Sequence, residues 1–369
     1  MNILKLQADV CIVGGGPAGT LLGFILAKNG VSTILLERSS GVNRKFRGEH
    51  INSETEAILK EHQLFDKIEE LGILKMKKVE FFSGKQIVNT ITPSNAEDHV
   101  GIHVPQANLL SAMTQESEQY KNYRLLFNTK VTELMQDERG VFTGVKAISD
   151  GQEVIINSSV VVGADGRYST VRKLAEIPTV EVTHGYDVLW AKIPAPAGWE
   201  PTTRMVLVDG HQLALFTQTG GYIQIGWNIE EGSFPSLRKQ SLQPFLEPLI
   251  ESFPELKELV LQHLCTWNDF VPLKVQSSRS DTWVKDGLIM IGDAAHTMTP
   301  TGAIGINCGM KDAHVLAPIL TEALLEKNIS AQRLKRFEVN RKTEIKEQQE
   351  MQMKQEASFS EKFAQFALS

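Results

Sequence analysis

The stretch that decides the fold is DVCIVGGGPAGTLLGFILAKNGVSTILLE, residues 9–37. Residues 9–13 form a short apolar run with a β-branched bias, which predicts a buried strand. Residues 17–29 predict a helix with proline in its first turn, and Gly30 is placed to end it. Residues 31–37 are apolar and β-branched again. The sequence therefore predicts a strand, a glycine turn, a helix and a second strand.

The glycines of this unit have the spacing G-x-G-x-x-G, at Gly14, Gly16 and Gly19. Such a turn lets a pyrophosphate approach the backbone, and the helix N-terminus meets that anion with free N–H groups and a partial positive charge. Glu37 ends the second strand, where an acid accepts hydrogen bonds from a ribose. These features predict a dinucleotide site, against the alternative of a tight turn without a ligand. To the same site we assign Pro17, Ala18 and Arg38.

The composition of the 369 residues excludes several classes of protein. There are 38 Lys and Arg against 44 Asp and Glu, so no nucleic-acid-binding surface is expected. Cys11, Cys265 and Cys308 lie far apart, with neither metal-ligand spacing nor a Cys-x-x-Cys pair, which favours a reducing cytoplasm and no metal. No apolar run reaches the ~18 residues of a membrane span, and the first nine residues are too short and polar for a signal peptide.

Two later stretches of the sequence indicate whether the dinucleotide is NAD or FAD. SSVVVGADGRYSTVRKLA, residues 158–175, predicts a strand at 160–162, a Gly-Ala-Asp-Gly turn and a helix. DGLIMIGDAAHTMTPTGAIGINCGMKDAHVLAPILTEAL, residues 286–324, predicts a strand at 288–291, a Gly-Asp turn, a loop rich in proline and glycine, and a helix from about Gly305.

GGGPAG, GADG and GDAAH, in this order, resemble the class A flavoprotein monooxygenases, the family of p-hydroxybenzoate hydroxylase. The loop PTGAIGIN, residues 300–307, is especially similar to that hydroxylase, and the resemblance covers nearly the whole chain. It implies tightly bound FAD, with NADPH or NADH as a transient co-substrate and no second nucleotide-binding domain. It also implies a hydroxylase that uses O2 through a flavin C4a-hydroperoxide. An aromatic or polycyclic small molecule is the expected substrate.

The expected fold class is α/β, a Rossmann-like FAD-binding domain interleaved with an antiparallel-sheet substrate domain and followed by C-terminal helices. The discontinuous FAD-binding domain is expected at residues 1–74, 106–178 and 281–328. Alternating apolar and polar residues predict the substrate-binding sheet at 75–105 and 179–280. Residues 329–369 predict one or two surface helices, either solvated or forming a dimer contact. The protein is expected to be a monomer or a homodimer.

The resemblance implies further flavin contacts. Asp293 follows a buried strand, where a carboxylate needs strong partners such as flavin hydroxyls, although it could be only a helix cap. Beyond Pro300, backbone amides and a helix dipole are expected to stabilise negative charge on the reduced flavin. Arg47 and Gln106 match family residues that contact the flavin, against a surface arginine and a plain helix start as alternatives. The other expected contacts are Val131, Asp165, Gly292, Gly302, Gly305, Ile306 and Asn307.

The family pattern breaks on the substrate side. In ALFTQTGGYIQI, residues 214–225, Thr217-Gln218-Thr219 stands where the hydroxylase has Ser-Gln-Arg. The arginine fork that grips a substrate carboxylate is therefore absent. We expect a substrate without a carboxylate at that end of the pocket, whose candidate lining residues are Thr217, Thr219, Tyr222 and Pro300.

The tyrosine that activates the phenol in the hydroxylase has no match, and His50 is our candidate base. A histidine accepts a proton near neutral pH, although His50 could equally be hydrogen-bonded within its loop. A capping box of Ser53 and Glu56 is expected to begin the next helix. His296 is expected to be structural.

Three other functions compete with hydroxylation. A geranylgeranyl-reductase-like flavoprotein would saturate double bonds without oxygen. A flavin-dependent halogenase would carry W-x-W-x-I-P, of which residues 190–194 hold only an altered remnant. A non-catalytic flavin-binding sensor is the alternative outside the enzymes.

Overall fold

The computed structural model describes residues 3–42, 49–95 and 98–357. The strands are β1 (Leu4–Val13), β2 (Thr33–Leu36), β3 (His50–Ile51), β4 (Leu74–Lys75), β5 (Lys78–Ser83), β6 (Gln86–Ile91), β7 (Ile102–His103), β8 (Tyr123–Leu126), β9 (Thr129–Gln136), β10 (Phe142–Ser149), β11 (Gln152–Gly163), β12 (Thr179–Pro194), β13 (Thr202–Val208), β14 (His211–Gln218), β15 (Tyr222–Glu230), β16 (Val271–Ser280), β17 (Val284–Lys285), β18 (Leu288–Met290) and β19 (His296–Thr297).

The helices are α1 (Pro17–Lys28), α2 (Ser53–Glu61), α3 (Phe65–Leu71), α4 (Gln106–Glu118), α5 (Thr170–Leu174), α6 (Phe234–Leu237), α7 (Gln243–Ser252), α8 (Lys257–His263), α9 (Gly305–Leu325) and α10 (Ala331–Ala357). Short 3-10 turns lie at Pro254–Leu256, Trp267–Asp269, Gly292–Ala294 and Thr301–Ala303. Among the described helices none is both long and apolar enough to cross a membrane.

The chain divides into two compact units. The first comprises Met1–Leu71, Pro105–Val182 and Ser277–Glu350, and the second comprises Gly72–Val104, Thr183–Gln276 and Met351–Ser369. Each unit is thus assembled from separated pieces of the chain. Residues 329–350, expected as part of a separate C-terminal segment, belong to the first unit.

The first unit is built on a sheet with the strand order β17-β18-β11-β1-β2-β8, and β9 and β10 extend it from β11. β1 is parallel to both β11 and β2, so the predicted strand–helix–strand unit is confirmed. β1 begins earlier than predicted because Leu4 pairs with Val154 and Gln7 with Asn157 of β11. Residues 19–27 of α1 are all buried, since α1 packs against α4 and α9.

The second unit is built on a sheet in which β16-β12-β15-β14-β13-β5-β6 are neighbours. The pairs β12–β15, β15–β14 and β14–β13 are antiparallel, as the alternation predicts. One pair departs from this pattern, because β5 is parallel to β13. Ile193, Ile225 and Trp227 lie in its core with Phe253, which follows α7.

α10 is not the solvated terminal helix that was expected, because one side of it is buried. Leu334, Phe337 and Ile345 on one side of this helix are fully buried, and so is Arg341. The charged composition of the segment conceals this face, because buried polar residues such as Glu338 and Gln349 accompany the apolar ones.

Candidate cofactor site

The turn between β1 and α1 is formed by glycines. A larger residue at Gly14 or Gly19 would force the neighbouring backbone to move. Gly14 has a φ of +111°, and a Cβ there would lie 2.3 Å from the carbonyl oxygen of Ala164. A Cβ on Gly19 would lie 2.0 Å from the Gly14 oxygen. The first glycine therefore brings the turn against the end of β11, and the third brings α1 against the turn.

The N-terminus of α1 is open. Gly16 is the N-cap residue, no side chain caps the helix, and the first turn holds no acidic residue. Pro17 at the start of the helix removes one N–H group that would otherwise need a partner. The remaining N–H groups and the helix dipole suit a pyrophosphate, so the structure fits the dinucleotide that the glycine spacing predicts.

Glu37 holds the glycine turn in shape. Its side chain is buried, and Oε2 accepts a hydrogen bond of 2.8 Å from the Gly15 N–H group. Oε1 accepts from both the N–H group and the hydroxyl of Ser39, at 2.8 and 2.7 Å. These contacts fix the Glu37 carboxylate at the end of β2, where the sequence predicts a contact with a ribose hydroxyl. Arg38, the next residue, is exposed.

Asp165 caps α5. Its carboxylate accepts hydrogen bonds from the Ser169 hydroxyl and from the N–H groups of Thr170 and Val171. Burial raises the pKa of Asp165, while these hydrogen bonds oppose the rise. These contacts hold the Asp165 side chain at the start of α5, and its expected contact with the flavin stays a prediction.

The Gly292–Ala294 turn is fixed by a residue that sequence reasoning missed. Gly292 has a φ of +56°, and its N–H group donates a 2.8 Å hydrogen bond to Oδ2 of Asp312 in α9. Asp293 itself is exposed, and its expected contact with the flavin stays a prediction. An exposed acid on a fixed turn is well placed to accept hydrogen bonds from a ligand.

Asp312 is the centre of a buried ionic network. Its carboxylate also accepts from His296 Nε2 and Arg341 Nε, both at 2.7 Å. Burial alone would raise the pKa of Asp312, but His296 and Arg341 outweigh it and hold the pKa below its usual value. The role of His296 is structural, as expected. Asp312 lies in the quoted motif, but its partner in α10 is 29 residues away and no local signal indicates it.

The start of α9 carries the loop that resembles the hydroxylase. Pro300 precedes the 3-10 turn, where Gly302 has a φ of +73°. α9 begins at Gly305, followed by Ile306, with no capping side chain and no acidic residue in its first turn. This second open helix N-terminus suits the negative charge of a reduced flavin.

Asn307 ties β3 to the start of α9. Its Oδ1 accepts a 3.0 Å hydrogen bond from the Asn52 N–H group, and its Nδ2 donates to the carbonyl oxygens of His50 and Ala303 at 3.0 and 3.1 Å. The Asn307 side chain therefore has a structural role, since all three of its hydrogen bonds are to backbone groups. Its effect is to hold the backbone of half-buried His50 beside the N-terminus of α9.

The expected Ser53 cap is wrong. The N-cap residue of α2 is Asn52, whose Oδ1 accepts a 2.9 Å hydrogen bond from the Thr55 N–H group, and Ser53 is the first helical residue. Asparagine caps a helix as well as serine does. Arg47 lies outside the described residues.

Two other expected flavin residues are buried in the first unit. Gln106 begins α4, and its N–H group lies 3.4 Å from Oε1 of Glu49. Val131 is in β9, paired with Ala147 of β10.

The candidate substrate residues of the second unit lie at the β14–β15 hairpin. The Thr217 hydroxyl accepts from Trp199 Nε1 and the Thr202 N–H group, both at 3.1 Å, and donates to the Thr202 carbonyl at 2.9 Å. A hydroxyl has one donor and two acceptor sites, so these contacts use the whole hydrogen-bonding capacity of the Thr217 hydroxyl, and its expected place in the substrate pocket stays a prediction. Thr219 is half-buried in the hairpin turn. Tyr222 is exposed, with Lys192 Nζ 4.5 Å from its ring centre.

Known proteins match this chain over nearly its whole length. The family described as FAD binding domain matches residues 7–351. A 6-methylpretetramide 4-monooxygenase from Streptomyces rimosus is 31% identical over 361 residues, which cover 95% of this chain and 84% of the relative.

Two solved structures share the fold. PqsL, a probable FAD-dependent monooxygenase from Pseudomonas aeruginosa, has a TM-score of 0.83 at 19% identity and covers 98% of this chain and 100% of its own. The p-nitrophenol 4-monooxygenase PnpA from Pseudomonas putida has a TM-score of 0.80 at 20% identity and covers 99% of this chain and 93% of its own.

Proposed function

The chain belongs to the FAD-binding domain family and is an FAD-dependent monooxygenase, and from that premise we propose that it hydroxylates an aromatic or polycyclic small molecule with NADPH or NADH and O2. The observation that carries the proposal is the 31% identity to a monooxygenase over 95% of the chain. The open N-termini of α1 and α9 support it, because both fit the negative charges of a flavin dinucleotide.

The bound flavin would supply the reaction with O2, and the chain would bind and orient it. In this proposal the N–H groups of Gly16, Ala18 and Gly19 donate hydrogen bonds to the pyrophosphate. The Glu37 carboxylate accepts a hydrogen bond from a ribose hydroxyl. Asp293 accepts hydrogen bonds from the flavin side chain. The backbone from Gly302 to Ile306 faces the flavin ring, where the α9 dipole stabilises negative charge.

The cofactor assignment is tested on the purified protein. We expect a yellow protein whose chromophore, released by heat and separated by chromatography, runs with FAD. NADPH oxidation and oxygen uptake should rise together when an accepted phenol is added. Recovery of FMN, or of no flavin at any loading, would contradict the assignment.

His50 is the proposed base of the reaction. The hydrogen bond from Asn307 to its carbonyl oxygen holds its backbone at the N-terminus of α9. From that position the imidazole would take the proton of a phenolic or enolic substrate hydroxyl, which makes the ring carbon a better nucleophile. A positioned general base contributes typically ~10²–10⁴-fold to a rate.

The test of His50 compares His50→Ala with His263→Ala, which removes an exposed histidine of the second unit. We expect His50→Ala to keep FAD and its reduction by NADPH, to form product at least ~10-fold more slowly, and to release more hydrogen peroxide. His263→Ala should behave as wild type. Hydroxylation at the wild-type rate with unchanged pH dependence in His50→Ala would assign His50 to the loop scaffold alone.

The proposed substrate has no carboxylate at the buried end of its pocket. Thr219 occupies the position of the arginine fork, and a carboxylate buried without a partner is costly. Simple benzoates should therefore neither bind tightly nor stimulate NADPH oxidation, whereas neutral phenols should do both. Tight binding of benzoates would overturn this inference, and Thr219→Arg should improve their binding if it is correct.

We further propose a monomer or homodimer in the reducing cytoplasm. The three cysteines are free thiols, and burial raises the pKa of both Cys11 and Cys308 to about 12, so these two thiols stay protonated. Light scattering of the purified protein distinguishes the two oligomeric states.

A further inference from the structure

A cluster of metal-ligand side chains lies where the end of α2 packs against α9, outside the residues assigned to the flavin. Glu61 is the last residue of α2, His62 is its C-cap residue, and His314 projects from α9. His62 Nε2 lies 3.1 Å from His314 Nδ1. Glu61 Oε2 lies 4.0 Å from His314 Nε2. One ligand atom from each side chain falls within 4.8 Å of the other two.

The separation of the two nitrogens suits a shared ion. Zinc–imidazole bonds of ~2.0–2.1 Å place two such nitrogens roughly 3.1–3.4 Å apart when the angle at the metal is about 100–110°. The two rings meet edge to face, with an interplanar angle of 70°. The alternative to a shared ion is a hydrogen bond between the two imidazoles, with the Glu61 carboxylate beside His314 Nε2.

The electrostatics of the cluster also suit a cation. Glu61 adds one negative charge on an exposed side chain, next to the His314 ring. Lys28 lies nearby, but its Nζ donates to the His62 carbonyl oxygen at 3.4 Å.

We propose that Glu61, His62 and His314 bind one divalent transition-metal ion of the zinc type, which clips the end of α2 to α9. Imidazole nitrogens favour Zn²⁺, Ni²⁺ and Cu²⁺, whereas Mg²⁺ and Ca²⁺ prefer sites made only of oxygen. Three protein ligands leave a fourth position for water. The site does not depend on the proposed reaction, because none of its residues is assigned to the flavin or the substrate.

The test uses FAD-loaded protein without a polyhistidine tag, treated with a chelator and then freed of it. Titration with Zn²⁺ should find one ion per chain. Among other ions the affinity should rise in the order Mn²⁺, Co²⁺, Ni²⁺, Cu²⁺, and a large excess of Mg²⁺ should not compete. With one equivalent of Cu²⁺, electron paramagnetic resonance should show hyperfine coupling to two imidazole nitrogens.

Variants assign the ligands. His62→Ala and His314→Ala should each weaken Zn²⁺ binding at least ~10-fold, since even changes around the ligands typically cost 10–100-fold. Each should also remove one nitrogen from the Cu²⁺ spectrum. Glu61→Gln, a change on an exposed side chain, should weaken Zn²⁺ binding while leaving the fold and flavin content intact. His263→Ala is the matched control and should bind as wild type.

Two results would overturn the proposal. The first is wild-type protein that binds no Zn²⁺ in this titration, which would leave His62 and His314 as a hydrogen-bonded pair only. The second is equal binding by wild type, Glu61→Gln and both alanine variants, which would place the ion elsewhere. Flavin content and the urea midpoint of each variant show whether it is folded.

Discussion

At the scale of single residues, the ionic network of Asp312 matters most to the first unit. Asp312 is fully buried, and it joins the Gly292 N–H group, His296 and Arg341. Arg341 also donates to the Cys308 carbonyl oxygen and pairs with Glu344. A charge taken out of water in this way is tolerable only while its partners remain.

We predict that Asp312→Asn lowers the free energy of unfolding by about 3–5 kcal/mol, because it leaves the buried Arg341 without its full counter-charge. Glu322→Gln is the contrasting control. Glu322 is exposed and forms a surface pair with Arg333, so this change should cost no more than ~1 kcal/mol. Urea unfolding at pH 7 measures both. Equal, small effects would show that the network contributes little.

The Asp312 carboxylate also makes the free energy of unfolding depend on pH. The native pKa of Asp312 lies below its usual value, so its contribution is complete above the ordinary Asp pKa of ~4 and is lost as the pH falls through the lowered native value. We therefore predict that wild type loses more unfolding free energy than Asp312→Asn does below pH ~4. Parallel curves of unfolding free energy against pH would contradict this.

Asp293 should act on the cofactor rather than on the fold, because it is exposed. We predict that Asp293→Ala weakens FAD binding by about 1–3 kcal/mol, the scale of a hydrogen bond to a charged group, with an unchanged urea midpoint for the apoprotein. Fluorescence titration of apoprotein with FAD gives the affinity. Equal affinity in wild type and variant would remove Asp293 from the site.

At the scale of elements, the β1–α1 turn must have glycine at its first position. We predict that Gly14→Ala costs roughly 2 kcal/mol or more, since a left-handed backbone costs ~1–2 kcal/mol and overpacking ~1–3 kcal/mol. It should also abolish FAD binding, because the turn must open. Gly41→Ala, where a Cβ meets nothing within 4 Å, is the control and should be neutral. A Gly14→Ala protein that keeps FAD and stability would mean that the turn adapts.

At the scale of the whole molecule, FAD should be part of the stability of the protein. A ligand that binds only the native state adds RT ln(1 + [L]/Kd), or ~2.7 kcal/mol at a hundredfold excess over Kd. We predict that the unfolding free energy of the apoprotein rises with added FAD along this curve, whereas free riboflavin, which has no pyrophosphate, has little effect. A midpoint independent of FAD would contradict a site that exists only in the native state.

The sequence by itself determined the βαβ unit, the FAD-binding fold and the two open helix N-termini. These are local properties, set by glycine spacing, β-branched runs and the lack of capping side chains within a few residues. Gly14, for example, is recognisable from its spacing because the turn is only a few residues long.

Only the tertiary structure decided which polar side chains already have hydrogen-bond partners within the protein. The Thr217 hydroxyl is saturated by Trp199 and Thr202, the Asp165 carboxylate accepts hydrogen bonds from the first N–H groups of α5, and Asp312 pairs with Arg341 of α10. Those partners come from other elements, and an acid that holds a turn looks the same in sequence as an acid that awaits a ligand. The histidine pair of α2 and α9 was hidden for the same reason, since 252 residues separate His62 from His314.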